Sequence, residues 1–252
     1  GVAGTAFINM HYADEIIGNY EDAKSSKYIY KIVGLRGTGK SVEYRKIISH
    51  FTGRAGWLTY TLSAAGDPAS TLIAMLSKEK FIDDKKHGTK ISTGASAGVD
   101  GFLVNGKADV SITKSTVYNP LYFSAEAELS EMIDRANSEG YRILVGIDDI
   151  ARTAEMTRFL SMWGAMLLED RKKIYMVCTG LAKNIEDFAE DPNLTFFRRS
   201  DAIEIGSLNR YEITLMYQKL LNIDDTEAVN LAKFTCGYAY AYQVLGSLYF
   251  NK

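Results

Sequence analysis

Eight consecutive residues constrain this chain more than any others: Gly34-Leu35-Arg36-Gly37-Thr38-Gly39-Lys40-Ser41, which fits G-x-x-x-x-G-K-[ST] in full. The pattern has meaning only between a strand and a helix, and both flanks are present. Residues 27–33 are rich in β-branched and aromatic side chains and read as a strand, while Lys40–Phe51 sets Val42, Ile47, Ile48 and Phe51 on overlapping helical turns. Glycines here let successive N–H groups point inward as an anion nest and leave no Cβ in a phosphate's way. The helix N-terminus adds partial positive charge. Lys40 then reaches β- and γ-phosphates, and Ser41 can place its hydroxyl on Mg²⁺. The expectation is a phosphate-cradling loop spanning 34–41. A Gly-rich turn beside a solvated lysine is the plain alternative.

The remaining periodicity alternates strands with helices, which predicts a mainly parallel α/β sheet. Trp57–Leu62 reads as a second strand. Residues 69–81 read as a helix carrying Leu72, Ile73, Met75 and Leu76, and 124–138 as another with Leu129, Met132, Ile133 and Ala136 on one face, stopped by Gly140. Arg142–Ile147 is almost wholly apolar, as expected at the buried centre of a parallel sheet. A helix over 153–168 turns Met156, Phe159, Leu160, Trp163 and Leu167 inward, and strands follow at 173–178 and 201–205. Between 87 and 116 the chain is rich in Gly, Ser and Thr, and Asn105-Gly106 separates two extended runs. That dipeptide suits a type I′ turn, so an inserted antiparallel hairpin is expected, with a surface loop as the alternative. From Asn209 onward only helical patterns remain, in about three segments separated near 222–224 and 236–237. The expected division is an α/β domain at 1–207 and a helical lid at 208–252.

Composition removes several classes. With 46% apolar residues in 252 the chain can bury a sizeable core. The balance of 29 Lys+Arg against 31 Asp+Glu argues against a broad basic surface for wrapping nucleic acid. Cys178 and Cys236 exclude a disulfide framework, fit a reducing compartment, and read as small buried apolar residues. No apolar run approaches the ~18 residues of a membrane span, and nothing at the start reads as a signal peptide, so a cytoplasmic chain with no membrane partner is expected. Opening on Gly1 suggests a processed or engineered start. His11, His50 and His87 have no Cys or His neighbours at metal spacing, which argues against zinc. Tyr238, Tyr240, Tyr242, Tyr249 and Phe250 could stack bases but read more simply as lid core.

Two further signals stand at strand ends. Ile143-Leu144-Val145-Gly146-Ile147-Asp148-Asp149 is an apolar strand ending in two acids, which sets carboxylates at the edge where open α/β sheets bind ligands. Asp148 would hold Mg²⁺ directly or through water; Asp149 would orient and deprotonate an attacking water. A solvated Asp-Asp turn is the alternative, and the loop upstream favours the chemical reading. The fourth strand ends in Val177-Cys178-Thr179-Gly180. If it lies between the other two, Thr179 projects beside a γ-phosphate and can hydrogen-bond the nucleophilic water; otherwise it is an ordinary strand-ending turn.

Phosphate loop, Asp-Asp strand, polar strand-four end and helical lid together resemble the AAA+ ATPases over about residues 14–250. Within that family the chain is most similar to the branch of origin-recognition ATPases and STAND signalling ATPases, and more narrowly to bacterial ATP-binding proteins of uncertain role. Thr179-Gly180-Leu181, Leu194-Thr195-Phe196-Phe197-Arg198-Arg199 and the run from Thr235 through Gly237-Tyr238-Ala239 to Gly246 carry that closer match. The resemblance implies a P-loop NTPase three-layer αβα sandwich with strand order 5-1-4-3-2, an adenine nucleotide (ATP or ADP) at the sheet edge and a lid over the base. It also implies that Arg199, better aligned than Arg198, reaches a γ-phosphate, often across a subunit interface. A basic surface pair near Asp187, Glu190 and Asp191 is the bland reading. The chain departs from the pattern at Asp148-Asp149, where Asp-Glu is common, at Ala239, where the lid often has proline, and in lacking any arginine from Cys236 to Lys252. These departures point to slow hydrolysis of ATP to ADP and phosphate serving a conformational switch. The rival is a nucleotide-binding module whose activity is partner or DNA contact, with ATP as a structural cofactor. A small-molecule P-loop kinase fits less well, since no Arg-rich lid lies between the sheet strands. Relatives usually continue into a helical, often winged-helix module, so self-association, and a protein or DNA partner through such a C-terminal module, complete the expectations.

Overall fold

The computed structural model describes residues 8–83, 124–168 and 172–251. The expected hairpin at 87–116 lies outside them. The chain runs α1 (Tyr12–Glu21), β1 (Ile29–Val33), α2 (Lys40–Phe51), β2 (Trp57–Leu62), α3 (Pro68–Leu76), α4 (Lys80–Asp83), α5 (Ala125–Ser138), β3 (Arg142–Ile147), α6 (Ala154–Leu167), β4 (Ile174–Gly180), α7 (Ala182–Ala189), α8 (Thr195–Arg199), β5 (Asp201–Glu204), then α9 (Arg210–Leu221), α10 (Asp225–Thr235) and α11 (Ala239–Phe250). The five strands form one all-parallel sheet in the order β2-β3-β4-β1-β5. That is the 5-1-4-3-2 order, read from the other edge.

Period-two alternation divides the central strands between two cores. Ile143, Val145 and Ile147 of β3, and Ile174, Met176 and Cys178 of β4, face a large cluster with Leu72, Leu129, Phe159, Trp163 and Phe197, supplied by α3, α5, α6 and α8. Leu144, Tyr175 and Val177 face the other way, onto Tyr20 of α1, Ile47 and Phe51 of α2, and Trp57. Helices on both faces of a parallel sheet make the three layers. Gly146 explains how tightly α2 lies on the sheet. A Cβ there would come within 2.5 Å of Ile48 Cδ1 and 2.6 Å of Tyr44 Oη.

Sequence and structure part company in three places, and helix α1 enters with no sequence expectation. The helix expected over 69–81 is broken between α3 and α4. Ser77 donates its hydroxyl to the Ala74 carbonyl (3.0 Å), and Lys78 and Glu79 donate backbone N–H groups three residues back, to Met75 and Leu76, so the helix tightens and ends. Helix α1 carries no side-chain cap at His11; instead the buried carboxylate of Glu43 on α2 accepts the Ala13 N–H at 2.8 Å, a partner thirty residues away. Cys178 is buried as expected, but Cys236 is exposed, at φ 50° in the turn between α10 and α11. The aromatic run of the lid is not one core: Tyr242 is buried, whereas Tyr240 and Phe250 are 60% and 65% exposed. The lid's own cluster is Leu208, Ile213, Tyr217, Ala228, Ala232 and Tyr242, joined by Ile8 from ahead of α1.

Candidate functional site

Register brings the sequence signals to one edge of the sheet. Ile32 of β1 lies opposite Thr179 of β4, and Cys178 opposite Ile147 of β3, so the loop after Val33, Thr179, and Asp148-Asp149 leave neighbouring strands at the same level. This is the carboxyl edge at which open α/β sheets bind ligands.

The loop turns on Gly37 (φ 77°) and Gly39 (φ 103°), conformations that a Cβ penalises. Gly34 meets a different limit, since a Cβ there would lie 2.9 Å from Thr38 Oγ1. The Thr38 hydroxyl donates to the Leu35 carbonyl at 2.8 Å and closes the turn. Lys40 opens α2 and is only 8% exposed; its Nζ donates to the carbonyls of Gly34 (2.9 Å) and Leu35 (2.7 Å). Burial holds this ammonium below its ordinary pKa, against the upward pull of Asp149 and Asp148. Leu35 and Arg36 are exposed at the tip of the loop.

Residues far apart in sequence converge on Asp148. Ser41 Oγ donates to its Oδ1 at 3.1 Å and Thr179 Oγ1 donates to the same oxygen at 2.6 Å. The Thr179 hydroxyl, wholly buried, also accepts the Asp149 N–H at 2.8 Å, and its carbonyl accepts the Ile150 N–H at 2.7 Å. Thr179 is thus a strut between β4 and the acidic turn. Asp149 stands exposed at φ 56°, a left-handed setting in which an aspartate is tolerated but not favoured.

A cavity of about 200 Å³ adjoins the loop, bounded by Gly37, Gly39, Lys40 and Ser41 on one side and by Ile8, Met10, Leu208 and Tyr240 on another. Among the described residues Lys40 is the one cation in that lining; the lid contributes Leu208, Ala239, Tyr240, Tyr242 and Gln243. The residues fit a nucleotide: an apolar slot beside a loop whose glycine conformations open it toward an anion. A hard oxygen-seeking cation also fits the Ser41–Asp148 pair, held by one carboxylate and one hydroxyl with the rest of its shell from phosphate and water. Among the described residues no cluster of three or more His, Cys, Asp or Glu could cage a metal by itself.

Arg199 does not join this group. Asp201 pairs with Tyr30 and Glu204 with Val33, so β5, about 13 Å at ~3.3 Å per residue, separates Arg199 from the edge that carries the loop. Both Arg198 and Arg199 are exposed at the end of α8, and neither guanidinium has a partner among the described residues.

No family model matches the sequence, and no curated protein matches it. Solved structures do match. Cdc6p from Pyrobaculum aerophilum aligns at TM-score 0.53 and 11% identity, covering 98% of this chain and 62% of that one. The ORC2 protein of Aeropyrum pernix, in ADPNP–ADP complexes, aligns at 0.55 and 10%, covering 96% and 61%. AMPPCP-bound DnaA from Aquifex aeolicus aligns at 0.51 and 14%, covering 94% and 58%. The fold, a parallel sheet of order 2-3-4-1-5 with helices on both faces followed by three helices, is the one shared with these proteins. The chain spans about three fifths of the length of those neighbours.

Sequence reasoning singled out the loop, the acids and Thr179, which the fold brings to one edge of the sheet. It missed Ile8 and Met10, which line the cavity from ahead of α1, and the lid contribution of Leu208 and Gln243. Apolar residues in a segment with no motif give no signal of what they will face. Among the described residues, no helix is long and apolar enough to cross a membrane.

Proposed function

We propose that this AAA+ domain binds Mg²⁺–ATP and hydrolyses it slowly, as a conformational switch. The observation that supports this most is the meeting of Ser41 and Thr179 on one oxygen of Asp148, directly beneath the loop that ends in Lys40. Lys40 would exchange its two carbonyl acceptors for the β- and γ-phosphates, and the loop N–H groups would line the phosphate chain. Ile8, Met10 and Tyr240 would enclose the adenine. Ser41 and Asp148 would hold Mg²⁺, whose contribution when bound is to neutralise charge between the phosphates. Asp149, exposed beside them, would take the proton of the attacking water. Its aspartate arm is one methylene shorter than a glutamate's, which accords with a low rate. Arg199, at the far edge of its own sheet, could serve a γ-phosphate only on a second copy.

A second reading keeps the nucleotide as a structural cofactor with a protein or DNA partner as the activity. The absence of any lid cation from the cavity lining favours it to that extent. Calorimetry with Mg²⁺–ATP separates the cases from simple failure. Loss of the Lys40 charge-assisted contact, worth about 1.5–3 kcal/mol, should weaken ATP at least tenfold in Lys40→Ala while the fold persists. Asp149→Asn should bind normally and lose phosphate release by about 10²-fold or more. Unchanged ATP affinity in folded Lys40→Ala removes the phosphate-site reading; unchanged turnover in Asp149→Asn leaves the second reading standing.

A further inference from the structure

The first turn of α11 rests on the tip of the phosphate loop. The Tyr238 hydroxyl donates to the Arg36 carbonyl, and the Tyr240 N–H, one of the donors a helix leaves free at its N-terminus, donates to the Gly37 carbonyl at 3.0 Å. The contact is close enough to dictate a residue type. A Cβ on Gly37 would fall 2.4 Å from Tyr238 Oη and 3.0 Å from Tyr240 Cβ, so the lid, as much as any phosphate, demands glycine there. Tyr238 itself does not line the cavity beside the loop.

Peptide planarity turns this contact into control of the site. The Arg36 carbonyl shares a rigid trans peptide with the Gly37 N–H, and the Gly37 carbonyl shares one with the Thr38 N–H. Within each unit carbonyl and N–H point in opposite directions. A lid that holds both carbonyls toward itself therefore turns both N–H groups away from itself, to the inner side of the loop. The Thr38 N–H does point inward, toward the Leu35 carbonyl at 3.4 Å. These are the inner-side donors from which an anion nest is made.

We propose that Tyr238 is a positioning residue of the phosphate site: by holding the Arg36 carbonyl, its hydroxyl presents the loop's N–H groups to the nucleotide phosphates. The proposal rests on the nucleotide-binding reading above. Coupling runs both ways, so a loop rearranged by phosphate must shift the lid through the same two bonds. This gives a lid with no arginine between Cys236 and Lys252 a means of responding to the nucleotide.

Tyr238→Phe deletes the hydroxyl and keeps the ring. Its test is the affinity of ADP by calorimetry, with adenosine measured by displacement of a fluorescent ADP analogue. Loss of one neutral hydrogen bond should weaken ADP about threefold to tenfold and leave adenosine unchanged, because only the phosphate-facing donors lose their orientation. A lid that is merely loosened would weaken both equally, and that result, or an unchanged ADP affinity, overturns the proposal. Tyr238→Leu, which removes ring and hydroxyl, should show the same phosphate-selective loss, and an equal loss for adenosine there counts against it too. If the unaltered protein fails to bind ADP, or Lys40→Ala binds it as well, the nucleotide reading fails rather than the role of Tyr238.

Discussion

Replacing Thr179 by valine removes one hydroxyl at nearly constant shape, and the structure specifies what is lost. Asp148 gives up a 2.6 Å hydrogen bond to a carboxylate oxygen, keeping only the longer one from Ser41, and the Asp149 N–H loses its 2.8 Å acceptor. A hydrogen bond to a charged group contributes about 1.5–3 kcal/mol, and a part-buried donor left without an acceptor costs at most about 1–3 kcal/mol. Both losses come from one atom in one network, so they do not simply add. A net loss of about 2–4 kcal/mol is expected, a large share of the ~5–15 kcal/mol by which domains are stable. At roughly 2–4 °C per kcal/mol for a chain of this size, the melting midpoint should fall by about 5–15 °C. Urea titration without nucleotide measures the free energy directly, and Thr179→Ser, which keeps the hydroxyl, should recover most of it. A loss below about 0.5 kcal/mol, the range of an ordinary surface change, would refute the claim that Thr179 braces the acidic turn.

Two other substitutions probe how the site is held. Gly146→Ala forces a Cβ to within 2.5 Å of Ile48 and 2.6 Å of Tyr44, lifting α2 from β3; a cost of about 1–3 kcal/mol by denaturant midpoint, together with weaker ATP binding, is expected, whereas unchanged values would mean that the α2–β3 seat is compliant. Arg199→Ala should leave ATP affinity intact and lower turnover only at protein concentrations where copies associate, by as much as the ~10³-fold that an arginine finger supplies; a turnover per chain that is independent of concentration, before and after the substitution, would exclude action on a second copy.

What could be read from sequence was what local chemistry enforces. The loop of 34–41 needs glycine at its left-handed positions, and the central strands need apolar residues on both faces, so Ile143–Ile147 and the motif after Val33 stood out. The three lid helices were visible because Asn222 and Cys236, both at positive φ, stop helices. Long-range partners were invisible. Helix α1 draws its N-terminal acceptor from Glu43, and the cavity draws Ile8 and Met10 across the lid; neither leaves a periodic trace. Cys236 looked apolar by residue type, but its place in a turn outweighs that. Arg199 was legible as a residue and not as a position: only strand register shows that it sits at the opposite edge of the sheet from Lys40.

The sheet's division of the core has an optical consequence. The chain's two tryptophans fall one to each face. Trp57 lies beneath the guanidinium of Arg142, 5.3 Å from its ring centre, on the side of α1 and α2. Trp163 is wholly buried on the other side, and its Nε1 finds no acceptor among the described residues. An indole in a dry apolar site emits toward the blue, and one beside a charge emits differently, so the native emission spectrum carries a separate signature from each layer. With Trp57 replaced by phenylalanine, the remaining light would come from the layer that does not hold the phosphate-loop helix, and melting of the two layers could be timed apart.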